Sequence, residues 1–538
     1  MQVLGASLLV ATTAVVATAQ RLQPQHQIHA IPKVPLELLQ RPLPLRSGIG
    51  SARDAVATES AQAQRFYDQG LAYLHSFVWI EAARSFNEAL RLDPKLALAH
   101  IGLSYAYGEL NLTGDSAAAL AKAHALTSGL PEHDRRHIAL RALQVAAETA
   151  PKDTARLMAY RSALDAALLA FPKDVELMLL RGLAESPDPA ERGQGSVFSS
   201  IEFYQKALAA QPGHFGAHHY LAHAYENEGR QPEALTHSAA FAKTASAVPH
   251  ARHMHGHSLR RSGRVREAIA EFETSDALQR AYFASEKVAA EYDWHYQHNL
   301  DLLGASFQYT GQMKKAEAIL RTSFETPSNL VVQLFNKRQW PVFLRARGRL
   351  REALDAAKAL MSHPHPLVQA TGHIEAGYTL LDSGQFADAG DQYNRALRIL
   401  RTNPEGAPMA GAALVGLQGE LALRTAQRDK GRQILEDLAR RLRDAGRSDA
   451  WVQTTFALEA AARTARAVGD WELATRLAAE MLTHDPAYAG GHYAVGLAAE
   501  YNGNAAAARA ALAQALKLWS GADPDLPELA EIRKRMKP

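Results

Sequence analysis

A period of 34 residues, visible from Ala63 onward, constrains the fold of this chain more than any other feature of its sequence. Position 8 of the period holds Gly70, Ala222, Gly256, Gly304, Pro341, Gly377, Ala462 and Gly496. Position 20 holds Ala82, Ala234, Ala268, Ala316, Ala353, Ala389, Ala474 and Ala508. Residues this small are required where two helices cross so closely that a side chain larger than a methyl group would force them apart.

Further positions of the period carry the marks of a helix pair. The first unit places an aromatic, small or proline residue at positions 4, 8, 11, 20, 24, 27 and 32, namely Phe66, Gly70, Tyr73, Ala82, Phe86, Ala89 and Pro94. Turn glycines stand between the predicted helices at Gly229, Gly263, Gly311, Gly348, Gly384, Gly469 and Gly503.

This pattern resembles the tetratricopeptide (TPR) repeat, and the resemblance covers most of residues 63–520. It implies an all-α fold without β-sheet, a TPR-like α-solenoid in which roughly eight to twelve antiparallel helix pairs stack into a right-handed superhelix. It also implies that positions 2, 5, 9 and 12 of each first helix point into a concave groove.

Some stretches depart from the period. Residues 97–212 keep a helical rhythm with irregular spacing, and a loop at Ser186–Ser196 interrupts it. Pro341 occupies a helix crossing and makes its unit doubtful. The 48-residue spacing between Ala268 and Ala316 predicts an insertion in the form of a longer second helix, and residues 406–446 are interpreted as one long helix pair.

The chain is accordingly divided into six segments. They are a signal peptide (1–19), a Pro/Gln-rich linker or arm (20–62), N-terminal TPR-like repeats (63–212), His-rich repeats (213–330), C-terminal TPR-like repeats (331–520) and a charged cap or tail (521–538). Prolines in the arm favour extended backbone, so no helix is expected in residues 21–50.

The N-terminus predicts export. Val3 to Ala19 is an apolar run that ends in Ala17-Thr18-Ala19, and small residues two apart are typical of a signal-peptidase site. Met1 and Gln2 depart from the usual pattern because they supply no basic residue. No second apolar run approaches the length of a bilayer span, so a periplasmic or secreted protein without a transmembrane segment is expected.

Composition excludes several classes of function. Lys and Arg total 59 against 56 for Asp and Glu, a net charge of +3, which gives no reason to expect a nucleic-acid partner. Cysteine is absent, so Fe–S clusters, thiolate zinc sites and c-type haem attachment are impossible. Nucleotide cofactors are not expected either, since no phosphate-binding loop or complete dinucleotide motif is present. Haem is likewise not expected.

Histidine is the exception to this ordinary composition. Eleven of the 23 histidines lie between residues 213 and 299. The predicted groove positions of three consecutive units hold His219, His223 and Glu226, then His250, His253, His257 and Arg260, then His298 and Asp301. By contrast His100, His218, His373 and His492 fall at position 4, where a packing role is expected. His133 and His137 are also four residues apart, but no repeat register places them.

The sequence predicts a divalent-metal site of the copper or zinc class. Two helices that start 34 residues apart are expected to be parallel neighbours, so that His219, His223, His253 and His257 meet at similar heights. His250 and His298, with Asp301, are expected to form a second site or an outer shell. Ligation requires neutral imidazole, so affinity is expected to fall below about pH 6.

Two functions follow from this site. In one, the chain is an exported scaffold whose groove carries the metal and binds a protein or peptide. In the other, it is a metal-dependent enzyme with an open coordination position, and Glu226, Arg260 or Asp301 serves as base or charge stabiliser. A histidine-lined groove for an acidic or aromatic peptide, a pH-responsive surface, and simple packing remain open alternatives.

Overall fold

A computed structural model describes residues 33–186, 198–328, 330–444 and 451–537. Every regular element within these residues is an α-helix or a single 3-10 turn, which confirms the all-α prediction. The predicted signal peptide and most of the loop at Ser186–Ser196 lie outside the described residues. Two compact units are present, an N-terminal unit (28–299) and a C-terminal unit (300–538), and residues 1–27, assigned to the latter, are not described.

The N-terminal unit consists of helices joined by short turns, and consecutive helices pack against each other as hairpins. They are α1 (Leu36–Leu39), α2 (Ala61–His75), α3 (Trp79–Leu92), α4 (Ala97–Glu109), α5 (Thr113–Ala125), α6 (Glu132–Glu148), α7 (Thr154–Ala170), α8 (Val175–Leu183), α9 (Phe198–Ala210), α10 (Phe215–Asn227), α11 (Gln231–Thr244), α12 (Pro249–Arg261) and α13 (Val265–Glu286).

The division between the units falls within α14 (Tyr296–Tyr309). The C-terminal unit continues with α15 (Met313–Glu325), α16 (Val331–Asn336), α17 (Gln339–Ala346), α18 (Leu350–Met361), α19 (Pro366–Asp382), α20 (Phe386–Thr402), α21 (Ala407–Arg424), α22 (Arg428–Asp444), α23 (Trp451–Ala467), α24 (Trp471–His484), α25 (Ala489–Tyr501), α26 (Ala505–Leu518) and α27 (Pro527–Arg535). Across the described part of the chain, no helix combines the length and hydrophobicity that crossing a bilayer requires.

The small residue at position 8 contacts position 24 of its own helix pair. A Cβ built on Gly70 would lie 2.5 Å from the ring of Phe86, and one on Gly256 would lie 2.7 Å from Phe272. Gly496 meets Leu512 in the same way, with a closest approach of 2.6 Å. Real Cβ atoms do not approach other atoms so closely, so these crossings require glycine. This explains the period that the sequence shows.

The departures from the period have visible causes. The 14-residue insertion extends the second helix of its pair, because α13 runs for 22 residues, as predicted. The first helix of the Pro341 unit is split into α16 and α17 around Lys337. Pro341 has no N–H to donate to the carbonyl of Lys337, so the helix cannot run unbroken through this point. Residues 407–444 form the expected pair α21 and α22.

The segment before the first repeat is a packed arm rather than a free linker. Its prolines do not prevent a single helical turn, α1, which corrects the expectation of a wholly extended segment. Val34, Leu39 and Ile49 are buried against the repeats. The carbonyl of Gly48 accepts a hydrogen bond from the amide of Ala247 at 2.8 Å. The arm therefore connects the first repeat to the His-rich repeats of the same unit.

Candidate metal centre

Five of the six candidate histidines are buried rather than displayed in an open groove, and His298 is half-buried. His219 is 0% exposed, His253 1% and His250 4%. Glu226, His223 and His257 are also buried, with at most 9% of their surface exposed. The repeat register could not show that other parts of the unit cover these side chains.

Neighbouring first helices are staggered by about one turn, which changes the grouping of the histidines. His219 at position 5 of α10 meets His250 at position 2 of α12. Glu226 at position 12 likewise meets His257 at position 9. An offset of three residues corresponds to about 4.5 Å along a helix. The expectation of equal heights is therefore wrong, and position 5 lies level with position 2 of the next unit.

The stagger brings together three imidazoles, His219, His223 and His250, here called the histidine triad. The Nε2 atom of His219 lies 2.9 Å from Nε2 of His250 and 3.1 Å from Nε2 of His223. His219 Nδ1 is 2.6 Å from the carbonyl oxygen of His75, to which it donates its proton. This hydrogen bond leaves the Nε2 atom of His219 with its lone pair directed at the other two rings.

Protonation of His219 and of His250 is disfavoured in the metal-free protein. Burial, followed by the neighbouring histidines, lowers the pKa of His219 and of His250 well below the ordinary value. Neutral imidazole is the form that binds metals. Because His219 Nε2 offers one lone pair to two neighbouring nitrogens, these rings cannot all be satisfied by hydrogen bonds to each other, whereas a cation would accept a lone pair from each.

The remaining predicted histidines have other partners. His253 Nδ1 lies 3.1 Å from the side-chain oxygen of Asn299, and its ring centroid is 4.9 Å from that of His298. His257 Nδ1 is 2.6 Å from Glu226 Oε1. His295 links the two groups, since its ring centroid lies 4.4 Å from that of His250 and 4.1 Å from that of His253. The imidazoles thus form a continuous buried row that begins at the triad.

Two charged candidates have a different setting. Arg260 is completely buried at the C-terminal end of α12. Asp301 belongs to the C-terminal unit, where Oδ1 accepts a hydrogen bond from Ser323 at 2.8 Å. Burial raises the pKa of Asp301 to about 7 despite that hydrogen bond.

A strained turn closes over the triad. Phe77 follows α2 with φ of 58°, a left-handed conformation that costs a non-glycine residue about 1–3 kcal/mol. Its ring centroid lies 4.5 Å from that of His219 and 5.5 Å from that of His250. Trp294 fixes the turn by donating from Nε1 to the Phe77 carbonyl oxygen at 3.1 Å. The strained turn is therefore held in place where the Phe77 ring covers the triad.

A second polar group, not predicted from the sequence, lies behind this turn. His75 Nε2 is 2.9 Å from Glu176 Oε2, and His214 Nε2 is 3.6 Å from Glu176 Oε1. Although burial alone would raise it, the pKa of Glu176 lies well below its ordinary value because both histidines stabilise the carboxylate. No local pattern marks His75 or Glu176, since the two residues lie 101 positions apart along the chain.

His75, Phe77 and Glu176 also line an open cavity in the N-terminal unit with an empty volume of about 1040 Å³, including its mouth. Its walls are mainly aromatic and aliphatic, with Tyr67 and Tyr220 among them. Because the cavity opens to solvent, a small molecule could reach these side chains.

Comparison with known proteins gives one family match. A model described as tetratricopeptide repeat matches residues 203–236, which include all of α10. No curated protein sequence matches this chain.

Solved structures similar to the chain include a human IFIT1 dimer with PPP-AAAA, at 12% identity and a TM-score of 0.39, covering 79% of this chain and 91% of that one. Yeast Tom70 covers 88% of this chain and 94% of its own at 11% identity, with a TM-score of 0.32. A tetratricopeptide repeat protein from Parabacteroides merdae covers 48% and 91% at 13% identity, with a TM-score of 0.32.

Proposed function

Because the chain is a tetratricopeptide-repeat protein, we propose that it is a binding scaffold whose N-terminal unit holds a divalent metal ion on His219, His223 and His250. The observation that carries this proposal is that Nε2 of His223 and Nε2 of His250 both lie within 3.1 Å of Nε2 of His219. All-nitrogen ligation suits zinc or copper.

The spacing of the nitrogens is close to what a metal requires. Nitrogens bound at 2.0–2.1 Å in tetrahedral geometry are about 3.3 Å apart. The observed separations from His219 are 2.9 and 3.1 Å, so these two pairs need to open by only a few tenths of an ångström, and all three ligand atoms lie within 4.8 Å of one another. Rotation of side chains that are already in contact can supply this change, without any movement of the helices.

The surroundings of the triad favour a held ion over a catalytic one. The His75 carbonyl fixes the orientation of His219, as outer partners commonly do for metal-ligating histidines. The three ligands are buried, and Phe77 covers them. His295 is a further imidazole within reach of the triad through its contact with His250. Such a site is suited to structural binding or storage of the metal.

Metal analysis of tag-free protein tests the proposal. The full chain is stripped with a chelator, reloaded with zinc or copper, and its bound metal is measured by elemental analysis. The double variant His223→Ala with His250→Ala is expected to lose one equivalent. His373→Ala is the control, because His373 bonds Gln392 at 2.7 Å in the other unit. Equal metal in the double variant and the control would refute the site.

A second pair of variants distinguishes the triad observed in the structure from the four-histidine set that the sequence predicted. His257→Ala removes a member of the predicted four-histidine set, whereas His250→Ala removes a member of the triad. Loss of metal in His250→Ala alone supports the triad. Loss in His257→Ala alone would restore the predicted grouping, which the helix stagger argues against.

The proposal includes a protein or peptide partner, as is usual for tetratricopeptide repeats. Since the histidines are buried, such a partner would contact other surfaces of the repeats rather than an imidazole-lined groove. Chemical cross-linking in the source cells followed by mass spectrometry would test this: cross-links from exposed lysines to a second protein support it, and recovery of the chain without any cross-linked protein contradicts it.

Export to the periplasm or the medium is also proposed. Its support is the apolar run that ends at Ala19. The mature protein is expected to begin near Gln20, and Ala19→Arg is expected to block cleavage. N-terminal sequencing of the protein from its native host decides the point, because a retained Met1 in the cytoplasm contradicts export.

The cavity beside the triad favours one alternative, a metal-dependent enzyme acting on a small molecule. His75 and Glu176 would then face the substrate. Zinc-loaded protein and the His223→Ala, His250→Ala double variant can be compared on chromogenic carboxylic and phosphate esters. Turnover by the former alone supports this alternative, and equal rates in both remove it.

A further inference from the structure

A second cluster of metal-binding side chains lies in the N-terminal unit, away from the triad. It combines Asp54 from the arm, His133 and His137 from consecutive turns of α6, and Asp174, the residue that precedes α8. His133 Nε2 lies 3.3 Å from Asp54 Oδ1 and 3.1 Å from Asp174 Oδ2. His137 Nε2 lies 3.6 Å from that same oxygen of Asp174.

The orientation of His133 resembles that of a prepared ligand. Its Nδ1 atom is 2.9 Å from Asp134 Oδ1, and Oδ2 of this carboxylate accepts the amide of Ala57 at 3.0 Å. A carboxylate that holds Nδ1–H leaves the Nε2 lone pair for a metal. Two carboxylate oxygens and a second imidazole face this Nε2 atom. Hydrogen bonds to Asp134, Asp174 and Asp54 raise the pKa of His133 to about 12, so a metal ion would bind here by displacing the Nε2 proton.

His137 supplies an independent indication of a missing ligand. The residue is only 8% exposed, and its Nε2 atom has no hydrogen-bond partner among the described residues. Its 3.6 Å separation from Asp174 Oδ2 exceeds hydrogen-bond distance. A buried polar atom with only a distant partner is poorly compensated, and a cation between His137 and Asp174 would give this nitrogen a close partner.

We propose that Asp54, His133, His137 and Asp174 form a second divalent-metal site with two nitrogen and two oxygen ligands. Three of the six separations among these ligands are 3.1, 3.3 and 3.6 Å, close to the value of about 3.3 Å for a tetrahedral zinc site. Two carboxylates neutralise a divalent ion, whereas the triad contributes no charge. The second site therefore suits zinc, cobalt or manganese, and copper is favoured less here than at the triad.

This site is accessible, in contrast to the triad. Asp54 and His137 line the same cavity as His75 and Glu176. The cavity provides a path for the ion to enter and space for a small anionic or Lewis-basic molecule to reach it.

Zinc binding by a protein with a disabled triad tests the proposal. The background is the full chain carrying His223→Ala and His250→Ala, stripped of metal. It is expected to bind one zinc equivalent by isothermal titration calorimetry and by elemental analysis. Adding Asp54→Asn and Asp174→Asn is expected to weaken this binding at least 100-fold. Asparagine keeps the shape of both residues and, at 174, the acceptor for the Leu177 amide.

The outcomes separate this proposal from the first one. A background protein that binds no zinc, or binds it equally with and without the two asparagines, overturns the second site and leaves the triad untouched. In another outcome, the wild-type protein binds a single zinc equivalent that the background variant also binds. If the two asparagine substitutions then abolish this binding, the result refutes the triad and supports the second site. Circular dichroism verifies that each variant is folded, and His137→Gln in the background is the replacement if the asparagine variant is not.

Asp134 provides a finer test, because it contacts His133 without lying among the ligands. Asp134→Asn is expected to weaken zinc binding 10–100-fold at the second site while the stoichiometry stays at one. Unchanged affinity would contradict the orienting role of this carboxylate and with it the ligand role of His133 Nε2.

Discussion

The two units of this protein use the same helix pairs, but equivalent positions of these pairs carry histidine in one unit and arginine in the other. Positions 5 and 12 of the Pro341 unit are Arg338 and Arg345, both in the C-terminal unit, whereas position 5 of α10 and of α12 is histidine. Arg345 lies 3.1 Å from Asp382, which also pairs with Arg424 at 2.6 Å. Buried charges in the C-terminal unit thus have opposite charges beside them.

The two units differ in what compensates their buried polar groups. In the C-terminal unit, burial raises the pKa of Glu375 and of Glu420, and Arg345 opposes this effect in both cases. Glu420 Oε2 also accepts a hydrogen bond from Thr464 at 2.7 Å. The triad instead combines three imidazoles, with Nε2 of His223 and of His250 both within 3.1 Å of Nε2 of His219. The C-terminal network compensates buried charge with opposite charge, whereas under the proposed function the triad binds a cation.

The largest effect is expected when one side of the ion-pair network is removed. Arg345→Met leaves buried carboxylates without compensation and should destabilise the C-terminal unit by about 3–5 kcal/mol. His223→Gln in metal-free protein leaves no uncompensated charge and should cost about 1–2 kcal/mol. Urea unfolding measures both, with Lys358→Met of an exposed pair as the neutral control. Equal losses of unfolding free energy for Arg345→Met and His223→Gln would contradict the proposed difference between the two units.

Metal binding should stabilise only the unit that carries the histidines. At a free zinc concentration 100 times the dissociation constant, stabilisation by one site is about 2.7 kcal/mol. Hydrogen exchange with and without zinc should therefore show added protection in α10 and α12 but not in α19 or α21. The effect in α10 should disappear in the His223→Ala, His250→Ala variant. Protection that rises equally in both units would place the metal elsewhere.

The shared scaffold predicts equal responses to overpacking. Ala268 and Ala389 occupy position 20 in the two units, and both are completely buried. Leucine at either position should cost about 1–3 kcal/mol, since the helix crossing cannot widen without loss of packing. Ala510→Leu on an exposed helix face is the matched control. An unchanged unfolding midpoint for both position-20 variants would show that the repeat register is wrong.

The smallest effects concern pH and should have opposite signs in the two units. Burial, then neighbouring histidines, lowers the pKa of His219 and of His253, so the unfolded chain binds more protons below about pH 6.5. Metal-free protein should therefore lose stability as the pH falls below 6.5. The lowered pKa of His219 also moves the expected loss of metal affinity below the value of about pH 6 that applies to exposed histidine.

Asp301 should respond in the other direction. Burial raises its pKa from 3.8 to about 7, so its contribution to stability is present below pH 3.8 and is lost as the pH rises through 7. Each group changes the free energy of unfolding by at most about 1.4 kcal/mol per pH unit. Thermal unfolding of chelator-treated Asp301→Asn and His253→Gln from pH 4 to 8 measures the two slopes. Curves parallel to wild type in both variants would contradict the assignment.

The repeat pattern was sufficient to predict the helices because it follows from contacts within each helix pair. Position 8 contacts position 24 of the same pair, as Gly70 contacts Phe86. The spacing is therefore determined by residues that are close together in the sequence. All seven predicted turn glycines have φ between 72° and 79°, which a glycine adopts without strain. His219 and His223 come together for a similar reason, since residues four apart share one helix face.

The rest of the candidate site depends on contacts between residues that are far apart in the sequence, and no local pattern predicts these contacts. The stagger between α10 and α12 chooses His250, and not His253, as the third member of the triad, because helix packing and not sequence spacing sets the relative height of two neighbours. The carbonyl that orients His219 comes from His75, 144 residues earlier. Asp54 reaches His133 because the arm packs on the repeats instead of extending away. The sequence by itself determined which residues could bind a metal, and the tertiary structure decided which of them meet and which remain accessible from the cavity.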